Sequence, residues 1–151
     1  MRDRLPENPY RYGLLVIGFA QLGVTLQALI APKTFYDSFP LGRGWVDAYP
    51  AYNEHLIYDY GAYTLGALVA LVLAGLWLDR RVVQLAIISW LVGASIHFVY
   101  HLVTIDRFGT GDAIANLLGL LLYIVLPGWL LVRSINDTAE DPGSTRARAA
   151  A

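Results

Sequence analysis

The chain is 151 residues long, 56% hydrophobic and 15% charged, against about 45–50% apolar and about 25% charged in soluble domains. Eleven basic and twelve acidic side chains nearly cancel, which excludes the basic surface of a nucleic-acid binder and leaves the lipid bilayer as the expected partner. Cysteine is absent, so disulfides, thiolate metal sites, iron–sulfur clusters and thiol redox chemistry are excluded.

The apolar residues run in four blocks, 13–31, 57–78, 82–105 and 112–133; Gly13 to Ala31 and Gly61 to Leu78 contain no Asp, Glu, Lys, Arg or His, while the other two blocks and the start of the second carry such groups. A helix rising about 1.5 Å per residue needs about 20 residues to cross about 30 Å of hydrocarbon. In lipid every backbone polar group must be satisfied within the segment, and none of the blocks alternates as a barrel strand would. The expected fold is therefore all-α: a four-helix polytopic membrane bundle over residues 1–133, followed by a disordered cytoplasmic tail over 134–151 that is rich in Ala, Asp, Glu, Gly and Arg. Eight basic residues (Arg2, Arg4, Arg11, Arg80, Arg81, Arg133, Arg146, Arg148) fall on one side and three (Lys33, Arg43, Arg107) on the other. Positive charge stays inside, so both termini are expected in the cytoplasm, with the chain in a bacterial inner membrane. The first block resembles a signal peptide in outline, but Leu29 stands where cleavage after Ala31 would need a small residue, so a retained anchor is expected.

In chain order, the first span ends at Pro32 and opens a long outer connection, 32–55, carrying Phe35, Tyr36, Phe39, Trp45, Tyr49 and Tyr52. Such a segment belongs in the headgroup belt, folded over the outer end of the bundle; a lid over a binding site is the sharper reading. In the second span Ala62, Gly66, Ala70 and Ala74 recur every four residues, the spacing of a close-packing stripe, with Gly75 and Gly93 expected to help. Extending that stripe outward reaches Tyr58, flanked by His55 and Asp59, which places these groups toward the protein interior. Asp79-Arg80-Arg81 reads as a tight turn that makes the second and third spans antiparallel neighbours. Thr110 or Asp112 is placed to cap the fourth span. Pro127 should bend that span and free a carbonyl about one turn earlier.

The chemistry-bearing residues gather near the outer helix ends. His55 and Asp59, His97 and His101, and Asp112 and Asn116 are each four apart and so share a helix face. Gln21, Thr25 and Gln27 offer polar groups from the first span at a similar layer. Buried ionisable groups are costly in a membrane and pair with one another, and three uses follow. The cluster is an interhelical hydrogen-bond network. Or it holds a transition metal such as zinc, copper, iron or nickel through His55, Asp59, His97 and His101; haem would need His55 opposite one of the other two histidines. Or it is a small-ligand or proton-coupled site, with Glu54, Tyr58, Asp112 and Asn116 in support. No nucleophile with an adjacent base, phosphate loop or dinucleotide fingerprint is present, so a catalytic role is not indicated. A homo-oligomer or a larger membrane complex remains open to such a chain.

Phe35-Tyr36-Asp37-Ser38-Phe39-Pro40, Trp45-Val46, Tyr52-Asn53-Glu54-His55-Leu56 with Asp59 and Gly61, His97 to His101, and Thr110-Gly111-Asp112-Ala113 together resemble small bacterial membrane proteins of the actinobacterial type, over about residues 10 to 133. In size and helix count the chain is also similar to DoxX-like proteins. The first resemblance implies a four-helix fold and no activity. The second implies thiol or sulfur redox chemistry, for which this chain has no cysteine.

Overall fold

A computed structural model describes residues 4–137. Five α-helices follow one another: α1 (Glu7–Ile30), α2 (Pro32–Ser38), α3 (Glu54–Trp77), α4 (Arg80–Val103) and α5 (Thr110–Asn136), with a 3-10 turn at Ile105–Arg107 before α5. α1, α3, α4 and α5 are each long and apolar enough to cross a membrane, so the fold is the expected all-helical bundle. The outer connection adds a short α2, which Pro32 opens at the first helical turn.

The termini of the helices follow from local chemistry. Asn53 caps α3, its side chain accepting from the Leu56 amide. α3 ends on Leu78 in the left-handed conformation (φ 54°), and the next residue, Asp79, caps α4 by accepting from the Arg81 and Val82 amides. That two-residue reversal makes α3 and α4 antiparallel, as the sequence implied. Leu5 donates its amide to the Leu78 carbonyl at 2.9 Å, so the chain leading into α1 is pinned to the same turn. α5 starts after Gly109 with no side-chain cap, which corrects the expectation that Thr110 or Asp112 caps it: Asp112 is engaged elsewhere. α5 also runs to Asn136, so 134–136 are helical where the tail is expected to begin. Ser134 is buried, and the Arg80 guanidinium donates to the Ser134 and Asp137 carbonyls. The remainder of the expected tail, 138–151, lies outside the described residues.

The bundle is built from two close pairs, α1 with α3 and α4 with α5. The end that holds Arg4, Arg11, Arg80, Arg81 and Arg133 is called here the basic end, and the opposite one the loop end. Near the basic end a single apolar core draws on all four long helices, with Leu14, Leu71, Val83, Ile87 and Leu130 buried together. Near the loop end the apolar core comprises only α1, α2, α3 and the connection, with Ala28, Phe35, Tyr36 and Ile57 at its centre. α4 and α5 take no part in it. The two pairs therefore share one apolar core at the basic end, whereas the loop-end core belongs to the α1–α3 side.

The packed face of α3 is not the predicted one. Ala62, Gly66 and Ala70 are exposed, and a Cβ added at Gly66 would meet nothing within 4 Å. The buried stripe is Ile57, Gly61, Leu68, Leu71, Ala74 and Gly75, rotated away from the expected one except at Ala74. The reason lies on α1: a Cβ at Gly61 would sit 2.7 Å from Leu29 Cγ, and one at Gly75 would sit 3.6 Å from Leu14 Cβ. Those two glycines mark the close approach, because large leucines occupy the space opposite them. Gly93 has no such neighbour.

Pro127 behaves as its chemistry requires. It sits buried inside α5 without breaking it, and its missing N–H leaves the carbonyl of Tyr123, one turn earlier, without an intrahelical donor. The Trp90 indole of α4 donates to that carbonyl at 3.0 Å, and the Trp90 and Tyr123 rings meet at 5.7 Å.

Candidate functional site

The sequence placed eight site residues at the outer helix ends, and the structure separates them into two groups. Glu54, His55, Tyr58 and Asp59 lie at the start of α3 on its exposed side. The His55 side chain is 81% exposed and pairs with Asp59 at 3.4 Å; Glu54 accepts from the Tyr52 hydroxyl at 3.1 Å; Tyr58 is exposed. The inward orientation expected for them is corrected by the same rotation of the α3 stripe. Among the described residues no group of three or more His, Cys, Asp or Glu side chains is placed to hold a metal ion. The four-ligand centre of His55, Asp59, His97 and His101 is therefore not assembled.

His97, His101, Asp112 and Asn116 form the second group, on α4 and α5. Trp90 fixes the register between these helices through its bond to Tyr123. Seven residues, two turns, toward the loop end on each helix lead from that pair to His97 and to Asn116, which stand at one level. His101 and Asp112 stand about one turn farther out. The His97 and His101 rings lie 4.6 Å apart.

The connection roofs this group. Arg43 and the Trp45 indole both donate to Asp112 Oδ1, the latter at 2.9 Å, so Asp112 is a tether for the roof and not a free ligand. Tyr49 stacks edge-on against His101 and Phe108. Its hydroxyl lies 2.8 Å from Thr104 Oγ1 and 3.4 Å from His101 Nδ1. Arg107 sits over the Tyr49 ring and donates to the Ala48 carbonyl at 3.1 Å. Meanwhile Phe35, Tyr36, Phe39 and Tyr52 of the same connection pack on α1 and α3, so the connection spans the top of both helix pairs. The roof residues Trp45 and Tyr49 were visible in the sequence as aromatics, but only the fold supplies their partners.

Beneath the roof the polar groups are unevenly satisfied. Gln21 and Thr25 are buried on α1 and are spent within the α1–α3 pair: Gln21 donates to the Tyr60 hydroxyl at 3.0 Å and Thr25 pairs with Thr64 at 3.1 Å. Asn116 is 4% exposed, and its Oδ1 has no hydrogen-bond partner among the described residues. An orphaned buried acceptor costs about 1–3 kcal/mol, and a native protein rarely tolerates one without an occupant or a purpose. His97 lies on the bundle-facing stripe of α4 that includes Val83, Ile87, Trp90 and His101, yet its residue surface is exposed where Val83, Ile87 and His101 are buried.

The arrangement sets the His97–His101 pair of α4 at the level of Asn116 and Asp112 of α5, beneath an aromatic roof. No protein-family model, curated protein or solved structure matches the chain.

Proposed function

We propose that this chain is a small ligand-binding protein of the bacterial inner membrane, with both termini in the cytoplasm and its binding recess in the outer half of the bundle. His97, His101 and Asn116 contact the ligand; Arg43, Trp45, Tyr49 and Asp112 hold the roof over it. The excess of basic residues at the basic end supports the orientation, and the resemblance to small actinobacterial-type membrane proteins supports the location. One observation carries the reading: Asn116 is buried with its Oδ1 unsatisfied by any group among the described residues. Native mass spectrometry of detergent-purified protein tests it. Wild type should carry a bound organic molecule that Asn116→Leu lacks. If neither retains a molecule and Asn116→Leu melts higher, the recess is not a binding site.

A structural role is the competing reading, favoured by the mutual satisfaction of Tyr49, Thr104, Arg43, Trp45 and Asp112. In that case the polar groups only tie the connection to α4 and α5, and the same experiment decides between the two.

A further inference from the structure

The basic end carries a surplus of charge, a feature independent of the binding role proposed for the loop end. Among the described residues it holds five arginines, Arg4, Arg11, Arg80, Arg81 and Arg133, against three carboxylates, Glu7, Asp79 and Asp137, a surplus of two positive charges. Two of the arginines are answered locally: Arg11 pairs with Glu7, and Arg133 with Asp137 at 3.1 Å. Arg80 donates to the Ser134 and Asp137 carbonyls of α5 and its end. The Asp79 carboxylate is turned to the Arg81 and Val82 amides, where it caps α4. Arg4 and Arg81 remain. Both are exposed, and neither side chain makes a hydrogen bond or ion pair among the described residues.

The fold brings these two arginines to one place. Arg4 and Asp79 face each other in an antiparallel bridge, and the Leu5 amide donates to the Leu78 carbonyl at 2.9 Å. The chain before α1 is thus pinned across the α3–α4 reversal, with Arg4 opposite the residue two before Arg81. α3 stops there at Trp77 and α4 starts at Arg80, which in a bilayer is the boundary between hydrocarbon and headgroups. Trp77 is exposed beside the reversal, as suits a ring that anchors at that boundary. Arg81 also heads an apolar stripe: Leu85, Ile88 and Val92 follow it on one face of α4, and all three are exposed. Guanidinium groups at headgroup level match a phosphate, which their planar donor forks bind in bidentate fashion. The stripe running inward from Arg81 matches an acyl chain, whereas a free phosphate or an acidic peptide would leave it uncovered. The loop end offers no such match, because its three basic side chains stand against six carboxylates among the described residues, and Arg43 is already paired with Asp112.

We infer that Arg4 and Arg81 hold the phosphate of an anionic phospholipid at the basic end, with an acyl chain lying along Leu85, Ile88 and Val92 of α4. The test titrates detergent-purified full chain with three probes and reads binding by native mass spectrometry. The probes are dioleoyl phosphatidylglycerol, dioleoyl phosphatidylcholine (the same chains without net charge) and glycerol 3-phosphate (the phosphate without the chains). Phosphatidylglycerol should bind most tightly, and its advantage over phosphatidylcholine should shrink as salt rises. Arg4→Gln and Arg81→Gln should each reduce that advantage by about fivefold, the equivalent of about 1 kcal/mol per charge near the surface. The double variant should nearly abolish it, while Lys33→Gln, at the loop end, should leave it intact. Equal binding of the two phospholipids would overturn the inference. So would an advantage kept in full by the double variant, or an equal loss from Lys33→Gln. Glycerol 3-phosphate binding as tightly as phosphatidylglycerol would overturn the lipid assignment by showing a site for phosphate alone. Both arginines are exposed, so the variants should fold; if the double variant does not, the single variants against wild type decide.

Discussion

The bond from Trp90 to the Tyr123 carbonyl makes a sharp prediction, because the proline that creates the need for it can be removed. With Pro127 in α5 that carbonyl has no intrahelical donor, and Trp90 supplies the only one among the described residues, at 3.0 Å. Trp90→Phe keeps a ring against Tyr123 but removes the indole N–H. The loss is that of an interhelical hydrogen bond, about 0.6 kcal/mol on average in membrane bundles, and of leaving a shielded carbonyl unsatisfied, about 1–3 kcal/mol. Trp90→Phe should therefore destabilise the protein by about 2 kcal/mol. In a Pro127→Ala background residue 127 regains an amide that satisfies Tyr123 within the helix, and the same Trp90→Phe change should then cost about 1 kcal/mol less. Reversible denaturant unfolding in mixed micelles, run on both single variants and the double, gives the coupling. A coupling below about 0.3 kcal/mol, the level at which independent sites simply add, would refute the argument that proline and tryptophan form one unit.

Gly61→Ala should destabilise by about 1–3 kcal/mol by forcing α3 off Leu29, whereas Gly66→Ala, in open space, should be neutral or stabilise by up to about 1 kcal/mol; melting temperatures of the pair check this. The Tyr10 hydroxyl, followed by Arg133 and Arg80, holds the Asp137 carboxyl below the ordinary carboxylate range against the opposing effect of burial. A depressed pKa contributes stability that is present above the ordinary range and is lost as pH falls toward the lowered value. Acidification through the carboxylate range should therefore lower the melting temperature of wild type more than that of Asp137→Asn. Arg43→Met removes one of the two donors to Asp112. For so exposed an ion pair the global cost should be within about 1 kcal/mol, while amide exchange over residues 43–49 accelerates; unchanged exchange there would show that the roof does not depend on this tether.

The four spans were legible because hydrocarbon thickness and backbone satisfaction leave few alternatives, and Asp79-Arg80-Arg81 revealed its turn through length alone. Pro127 was legible in the same sense: a missing N–H always frees a carbonyl, although the sequence could not say that Trp90 would answer it. The rotation of α3 was hidden. The Ala62–Gly66–Ala70 stripe and the Gly61–Gly75 face are both plausible surfaces for close approach, and the choice is made by Leu14 and Leu29 on another helix. That single rotation moved His55, Tyr58 and Asp59 outward and dissolved the metal reading with them. Ser134 to Asn136 read as tail because polar residues at a helix end resemble a linker until a partner such as Arg80 is seen.

The division of the bundle into a dry half and a polar half follows from where each helix pair spends its apolar surface. At the basic end the reversal at Leu78-Asp79 holds α3 beside α4, so Leu71 and Ala74 meet Val83 and Ile87, and the core closes over all four helices. No comparable short link joins the pairs at the loop end: the connection there is long, and its aromatics are divided between α1–α3 on one side and α4–α5 on the other. Helices tied at one end and merely roofed at the other are free to separate where they are not tied. His97 and Asn116, on the loop-end side of the shared core, are the residues there with chemistry to use. If this reasoning holds, deleting Leu41, fully exposed at the tip beside Gly42, should draw the pairs together and exclude a ligand without removing a tether of the roof or a residue that contacts the ligand. Retention, in a correctly folded deletion, of a molecule that co-purifies with wild type would show instead that the site is built by α4 and α5 alone.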